Sequence, residues 1–179
     1  RRKEETKTQK EKMNKTIATV LFILIFLITF ELIAISMSGI SDFFKTGETE
    51  IEMSEDELRH MQSVKNVNDG VKITIYALII VLGILLYRTN FEFYKIFYNM
   101  WIPLAVFLAI CAFASIFPNF SFELLHKIFF PQGNYTFPTG TTLVTMYPFS
   151  FFKSLFLRVF TTTTILSGIL VLIGYYRKQ

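Results

Sequence analysis

The sequence predicts an all-α membrane protein: four transmembrane helices, with an extracytoplasmic cap made of two loops that contain short helices. Three observations predict it. Of 179 residues, 52% are hydrophobic and 21 are phenylalanine, and the apolar residues are clumped rather than spread. Four of the clumps approach the roughly 20 mostly apolar residues needed to cross ~30 Å of hydrocarbon. The basic residues gather in segments that would share one side of such a bundle, and the acidic ones gather on the other.

Residues 1–16 form a basic tail with seven Lys/Arg against three Glu. The first span, 17–37, is interrupted in its outer half by Thr29 and Glu31. Its apolar run exceeds the roughly 7–15 residues of a cleaved signal, and Ala34, Ser36 and Ser38 make a weak cleavage site, so it reads as a retained anchor. The first outer loop covers 38–70. Glu48, Glu50 and Glu52 alternate with Thr49 and Ile51, a short extended pattern. Ser54 and Glu57 then have capping-box spacing, which predicts an amphipathic helix over 55–67 that Asn68-Asp-Gly70 ends.

The second span is 71–87, with Lys72 snorkelling at its edge. A link, 88–99, leads to the third span, 100–117, which carries Pro103 near its start and Cys111 in its middle. That single cysteine allows no intrachain disulfide and reads as packing in lipid. The second outer loop, 118–154, has a short helix over 121–130 with Ser121 as its cap and His126 beside an apolar face. Turn chemistry follows at Pro131–Asn134, then an apolar run over 143–152 broken by Pro148. A loop this apolar cannot lie open to water and must fold onto the membrane or the first loop. The fourth span, 155–176, contains four threonines whose hydroxyls can bond a carbonyl one turn back. Residues 177–179 close the chain.

Charge sets the orientation. The basic tail, the link with Arg88 and Lys95, and Arg177-Lys178 share one side, which the positive-inside rule makes cytoplasmic. Residues 38–70 carry eight acidic and three basic residues and lie outside with the second loop. The net charge of +4 is thus a topology signal, and no nucleic-acid partner is expected. Glu31 and Arg158 sit at matching depths in the first and fourth spans, which predicts a structural ion pair.

Two motifs carry a family resemblance. The first is Met53-Ser-Glu-Asp-Glu-Leu-Arg-His60-Met-Gln-Ser-Val-Lys65. The second combines His126-Lys-Ile-Phe-Phe130, Gly133-Asn134-Tyr135 and Leu143-Val-Thr-Met-Tyr147-Pro148-Phe-Ser-Phe151-Phe152. Together, in this order and with four spans, they resemble the bacterial lipoprotein intramolecular transacylase family. Ser63 stands where that pattern has aspartate, and Tyr135 where tryptophan is usual.

The resemblance implies an enzyme of the bacterial cell membrane with both termini cytoplasmic and its site at the outer leaflet. The implied substrate is a diacylglyceryl-modified lipoprotein among membrane lipids. The sn-2 acyl chain would move to the α-amino group of the N-terminal cysteine, giving the lyso form. It implies His60 and His126 as catalytic residues, and an aromatic-rich site with Phe122, Phe130, Asn134, Tyr135 and Tyr147 as substrate-binding residues.

The chemistry suits two histidines. The α-ammonium must lose a proton, an oxyanion must be stabilised, and the glyceryl oxygen must gain a proton as it leaves. An amine of pKa roughly 8 and an imidazole near 6.5 are matched for this. Nucleophile and ester belong to one substrate, so orientation can supply ~7–11 kcal/mol of the barrier.

No ATP site or glycine-rich phosphate loop is present, and no cofactor is expected. A metal site of His60 and His126 with Glu57 or Asp56 is the weaker reading, because no metal-binding spacing accompanies them. A transporter is poorly supported without internal repeats or broken spans. The alternative from another class is a non-catalytic accessory scaffold that binds a membrane partner through its aromatic outer loops. Oligomeric state is not legible.

Overall fold

The structure, a computed structural model, describes residues 2–38, 46–47, 51–87 and 92–178. Within them lie seven helices: α1 (Arg2–Ser38), α2 (Glu55–Tyr87), α3 (Phe93–Asn99), α4 (Trp101–Ile116), α5 (Pro118–Phe129), α6 (Thr142–Met146) and α7 (Phe149–Lys178). Four helical stretches are long and apolar enough to cross a membrane: α1, α2, α3 with α4, and α7. There is no strand among the described residues. Most of the expected extended piece, at Glu48–Glu50, lies outside the described residues, as does Arg88 of the link.

Helix α1 is the hub, packing on α2, α3, α4 and α7. Its Ile17, Ala18 and Phe22 form the main buried cluster with Ile96 and Met100. That cluster marks one end of the bundle. Lys10 reaches Glu92 there at 3.6 Å, and the Lys178 ammonium lies 4.0 Å from the Tyr98 ring. The basic tail, the link and the chain's last turn therefore meet at one end, as the charge pattern requires. The start of α2, which carries His60, and the end of α4, after which α5 carries His126, lie at the other end.

Lipid, not water, is the solvent of the spans. Ile73, Ile80 and Tyr76 of α2 are about two-thirds exposed, and such residues face hydrocarbon at no cost. Helix backbones approach most closely at small residues. A Cβ on Gly174 would lie 2.7 Å from the Tyr94 carbonyl oxygen and overlap the Tyr98 backbone, so α7 meets α3 at that glycine. The threonine run meets the expectation in part: Thr161 Oγ1 donates to the Leu157 carbonyl at 2.8 Å, whereas the buried hydroxyls of Thr163 and Thr164 have no hydrogen-bond partner among the described residues.

Five features differ from the sequence expectation. The basic tail is helical from Arg2 and continuous with the first span. The helix over 55–67 does not stop at Gly70 but runs unbroken through the second span. A mid-helix glycine costs only about 1 kcal/mol, and neighbours offset it: Lys65 donates to Asp69 at 2.7 Å, and the Asn68 amide, turned to suit its neighbours, bridges Glu31 and Lys72.

Helix α5 begins at Pro118 rather than Ser121, because a proline fits the first helical position, where no N–H is needed. Helix α7 begins at Phe149, directly after Pro148. The Glu31–Arg158 pair is not formed: Glu31 is buried against α2, where Lys72 stands 3.6 Å away. Equal depth in the bilayer fixes the level of two side chains but not which way around the helix each points.

Candidate active site between the first turns of α2 and the aromatic cap

The site begins with the way α2 starts. The Ser54 backbone N–H and hydroxyl donate to Glu57 Oε2 at 2.9 and 2.8 Å, and the Glu57 N–H donates back to Ser54 Oγ at 3.4 Å. This is the predicted capping box. Glu57 is nonetheless buried, because its second oxygen accepts the Leu143 N–H at 2.7 Å from α6. Those backbone donors, Leu143 first and Ser54 next, hold its carboxyl below the usual range. Met61 and Leu143 pack together beside it with Met53, Phe137, Met146 and Tyr147.

One turn after Glu57 comes His60, only 7% exposed. Its ring lies 4.9 Å from Phe130 and 5.5 Å from Phe137, centroid to centroid. Its Nδ1 is buried with no hydrogen-bond partner. Burial first, and the nearby charge of His126 second, push His60 below its usual pKa, while the side chain and backbone of Asn134 oppose the shift. This first half of α2 precedes the apolar span.

His126 approaches from α5. Its Nδ1 lies 2.8 Å from the Phe122 carbonyl oxygen one turn back. A carbonyl can only accept, so Nδ1 carries the hydrogen and Nε2 is left for other chemistry. The ring is walled by Phe122 at 4.1 Å, Tyr135 at 5.3 Å, Phe130 at 5.6 Å and Phe152 at 6.2 Å. Phe122 in turn packs on Phe149 and Phe152, the first residues of α7.

Phe130 thus touches both imidazoles. The two ring centres can be no farther apart than its two contact distances placed end to end, and both lie at the same end of the bundle. Of the other expected site residues, Tyr147 packs against Phe151 at 5.1 Å, and burial pushes its phenol up to about 12, so it stays a donor. The Asn134 amide donates to Ser63 Oγ at 3.3 Å, as does Gln132. Ser63 stands on α2 one turn beyond His60. Ser63, where the motif reading expects aspartate, thus accepts from the 132–134 turn through its hydroxyl.

Sequence reasoning missed Phe137 and Phe152 as walls, Ser63 as an acceptor for the turn, and the second bond of Glu57. Phe152 lies inside the second motif and Glu57 inside the capping box. Nothing local in the sequence tells that their partners come from the other loop.

A family model described as lipoprotein intramolecular transacylase (Lit) matches residues 37–152, a stretch that contains both motifs and both histidines. No curated protein and no solved structure matches the chain.

Proposed function

The chain belongs to the lipoprotein intramolecular transacylase family and is an acyltransferase, and we propose that His60 and His126 carry its proton transfers. The substrate is a diacylglyceryl-modified lipoprotein whose N-terminal cysteine enters between α2 and the cap. One imidazole takes a proton from the α-ammonium. The freed amine attacks the carbonyl carbon of the sn-2 ester, and the C–N bond forms as the carbonyl oxygen becomes an oxyanion. The C–O bond to glycerol then breaks: the other imidazole, protonated, donates to the leaving oxygen and, now neutral, takes the second proton of the attacking nitrogen, while the first imidazole releases its proton to water. The product is the lyso form, with one N-linked and one O-linked chain, and the enzyme ends with its starting proton count.

The observation that carries this reading is the shared contact of both rings with Phe130. Burial keeps His60 neutral near pH 7, as a base must start. His126, with Nδ1 committed to Phe122, works through Nε2. The aromatic walls supply a dry surface for acyl chains, and Tyr147, kept protonated, can donate towards developing negative charge.

The site faces the outer leaflet of the bacterial cytoplasmic membrane, with both termini inside. The clustering of Lys10, Lys95 and Lys178 at the opposite end of the bundle supports this orientation.

The test is mass spectrometry of lipoprotein N-terminal peptides from cells with and without the gene. The lyso form appearing only with the gene is expected; an unchanged acyl pattern overturns the proposal.

A further inference from the structure

We propose that Glu57 is a positioning residue of the transacylase, clamping cap helix α6 onto the helix that presents His60. The proposal rests on the reading of this site as the reaction centre. Three observations carry it. Glu57 is a carboxylate only 3% exposed, at a place where its helix could be capped from solvent. Its two oxygens serve different elements. Oε2 takes Ser54, at the start of its own helix, and Oε1 takes the Leu143 N–H, 86 positions away, at 2.7 Å. Helix α6 has no side-chain cap of its own, so Glu57 supplies the partner that one of its first N–H groups needs.

The clamp acts through a short mechanical route. Leu143 packs on Met61, the neighbour of His60. Beyond the end of α6, Tyr147-Pro148 leads straight into Phe149 and Phe152 of α7, which wall Phe122 and His126. One carboxylate therefore ties the helix bearing one imidazole to the wall of the other. Ser63, one turn on the far side of His60, makes a second attachment through Asn134 and Gln132. His60 stands between the two. A buried carboxylate with three donors is a stiff joint: Oε1 holds the Leu143 N–H, while Oε2 keeps the Ser54 N–H even when the Ser54 hydroxyl is lost.

The experiment uses the full chain in lipid nanodiscs, with a diacylglyceryl-cysteine lipopeptide as the probe. Glu57→Ala is expected to lower kcat on the order of 10- to 100-fold, the scale of an ångström misplacement. KM should stay within about threefold, because the aromatic walls that bind acyl chains remain. The Leu143 amide should exchange its hydrogen faster. Glu57→Gln, which keeps the shape but accepts through one oxygen, should fall between, and keeps the test open if the alanine variant fails to fold. Ser54→Ala removes one of the two donors to Oε2 and leaves the Leu143 bond in place, so it should stay within about threefold of wild type.

A wild-type rate in Glu57→Ala overturns the proposal. So does a Ser54→Ala variant as slow as Glu57→Ala, which would reduce Glu57 to a helix cap. Wild-type protein inactive on the lipopeptide would instead overturn the transacylase reading, while exchange at Leu143 would still decide whether the clamp exists.

Discussion

Phe130→Ala is the most informative single change at the site. Phe130 is 7% exposed and is the ring that meets both imidazoles, at 4.9 and 5.6 Å. Truncating a buried phenylalanine costs about 3–5 kcal/mol when the surroundings do not collapse. Up to about 1.5 kcal/mol for each lost ring contact falls within that total. The loss is local to the cap, because the main cluster around Ile17, Phe22 and Met100 is at the other end of the bundle. The spans should therefore still assemble while the two imidazoles lose their common wall.

With both rings free to shift by an ångström or so, the rate should fall on the order of 10²-fold. The assay is single-turnover conversion of a diacylglyceryl lipopeptide followed by mass spectrometry, with helicity and thermal unfolding measured on the same sample. Phe130→Leu, which retains most of the volume, should recover much of the rate. A Phe130→Ala variant that folds and keeps wild-type turnover would refute the idea that this contact organises the histidines.

Further outcomes follow from other contacts. His60 is held below its usual 6.5 by burial and by His126. The unfolded chain therefore binds more protons than the folded one in the interval beneath 6.5. The contribution of His60 to stability is complete above that pH and is lost as pH falls through the folded value. The acid limb of a rate–pH profile should likewise lie below 6.5, and a limb above it would contradict the burial. Ser63→Asp places a negative charge one turn from His60, so that limb should move to higher pH; an unmoved limb would show that residue 63 does not sense the imidazole. Glu31→Gln should lower thermal stability by about 1 kcal/mol through Lys72, a part-exposed partner, whereas Arg158→Gln should change it little; the reverse order would restore the pairing expected from depth. Gly174→Ala should destabilise the contact of α7 with α3 by several kcal/mol, or prevent accumulation, since its Cβ meets backbone that cannot yield; normal unfolding would refute that packing.

The spans were readable because the bilayer imposes a length and a composition on each one, and the meeting of tail, link and last turn at one end of the bundle because basic residues gather in those segments. The capping box at Ser54 was readable because its two partners are three residues apart. What could not be read depends on azimuth and on distant partners. Depth gave Glu31 the right level and the wrong neighbour: Lys72, which reads as a snorkelling residue, is the one it faces. Asn68-Asp-Gly70 carries stop residues, but the side chain of Asn68 is used between helices and that of Asp69 within α2, and the helix continues. The histidines were identifiable as motif residues. That Phe130 meets both is a consequence of how the segment just beyond α5 lies against the first turns of α2, to which no local pattern points.

The claim that two imidazoles work as one unit is tested most directly by rates of lipopeptide conversion for His60→Ala, His126→Ala and the double variant, all shown to be folded. Groups that act together are strongly non-additive. Each single change should abolish most of the catalysis, and the double variant should be scarcely slower than either. A single variant that retains substantial turnover, or a double variant whose loss equals the product of the two single losses, would contradict the account.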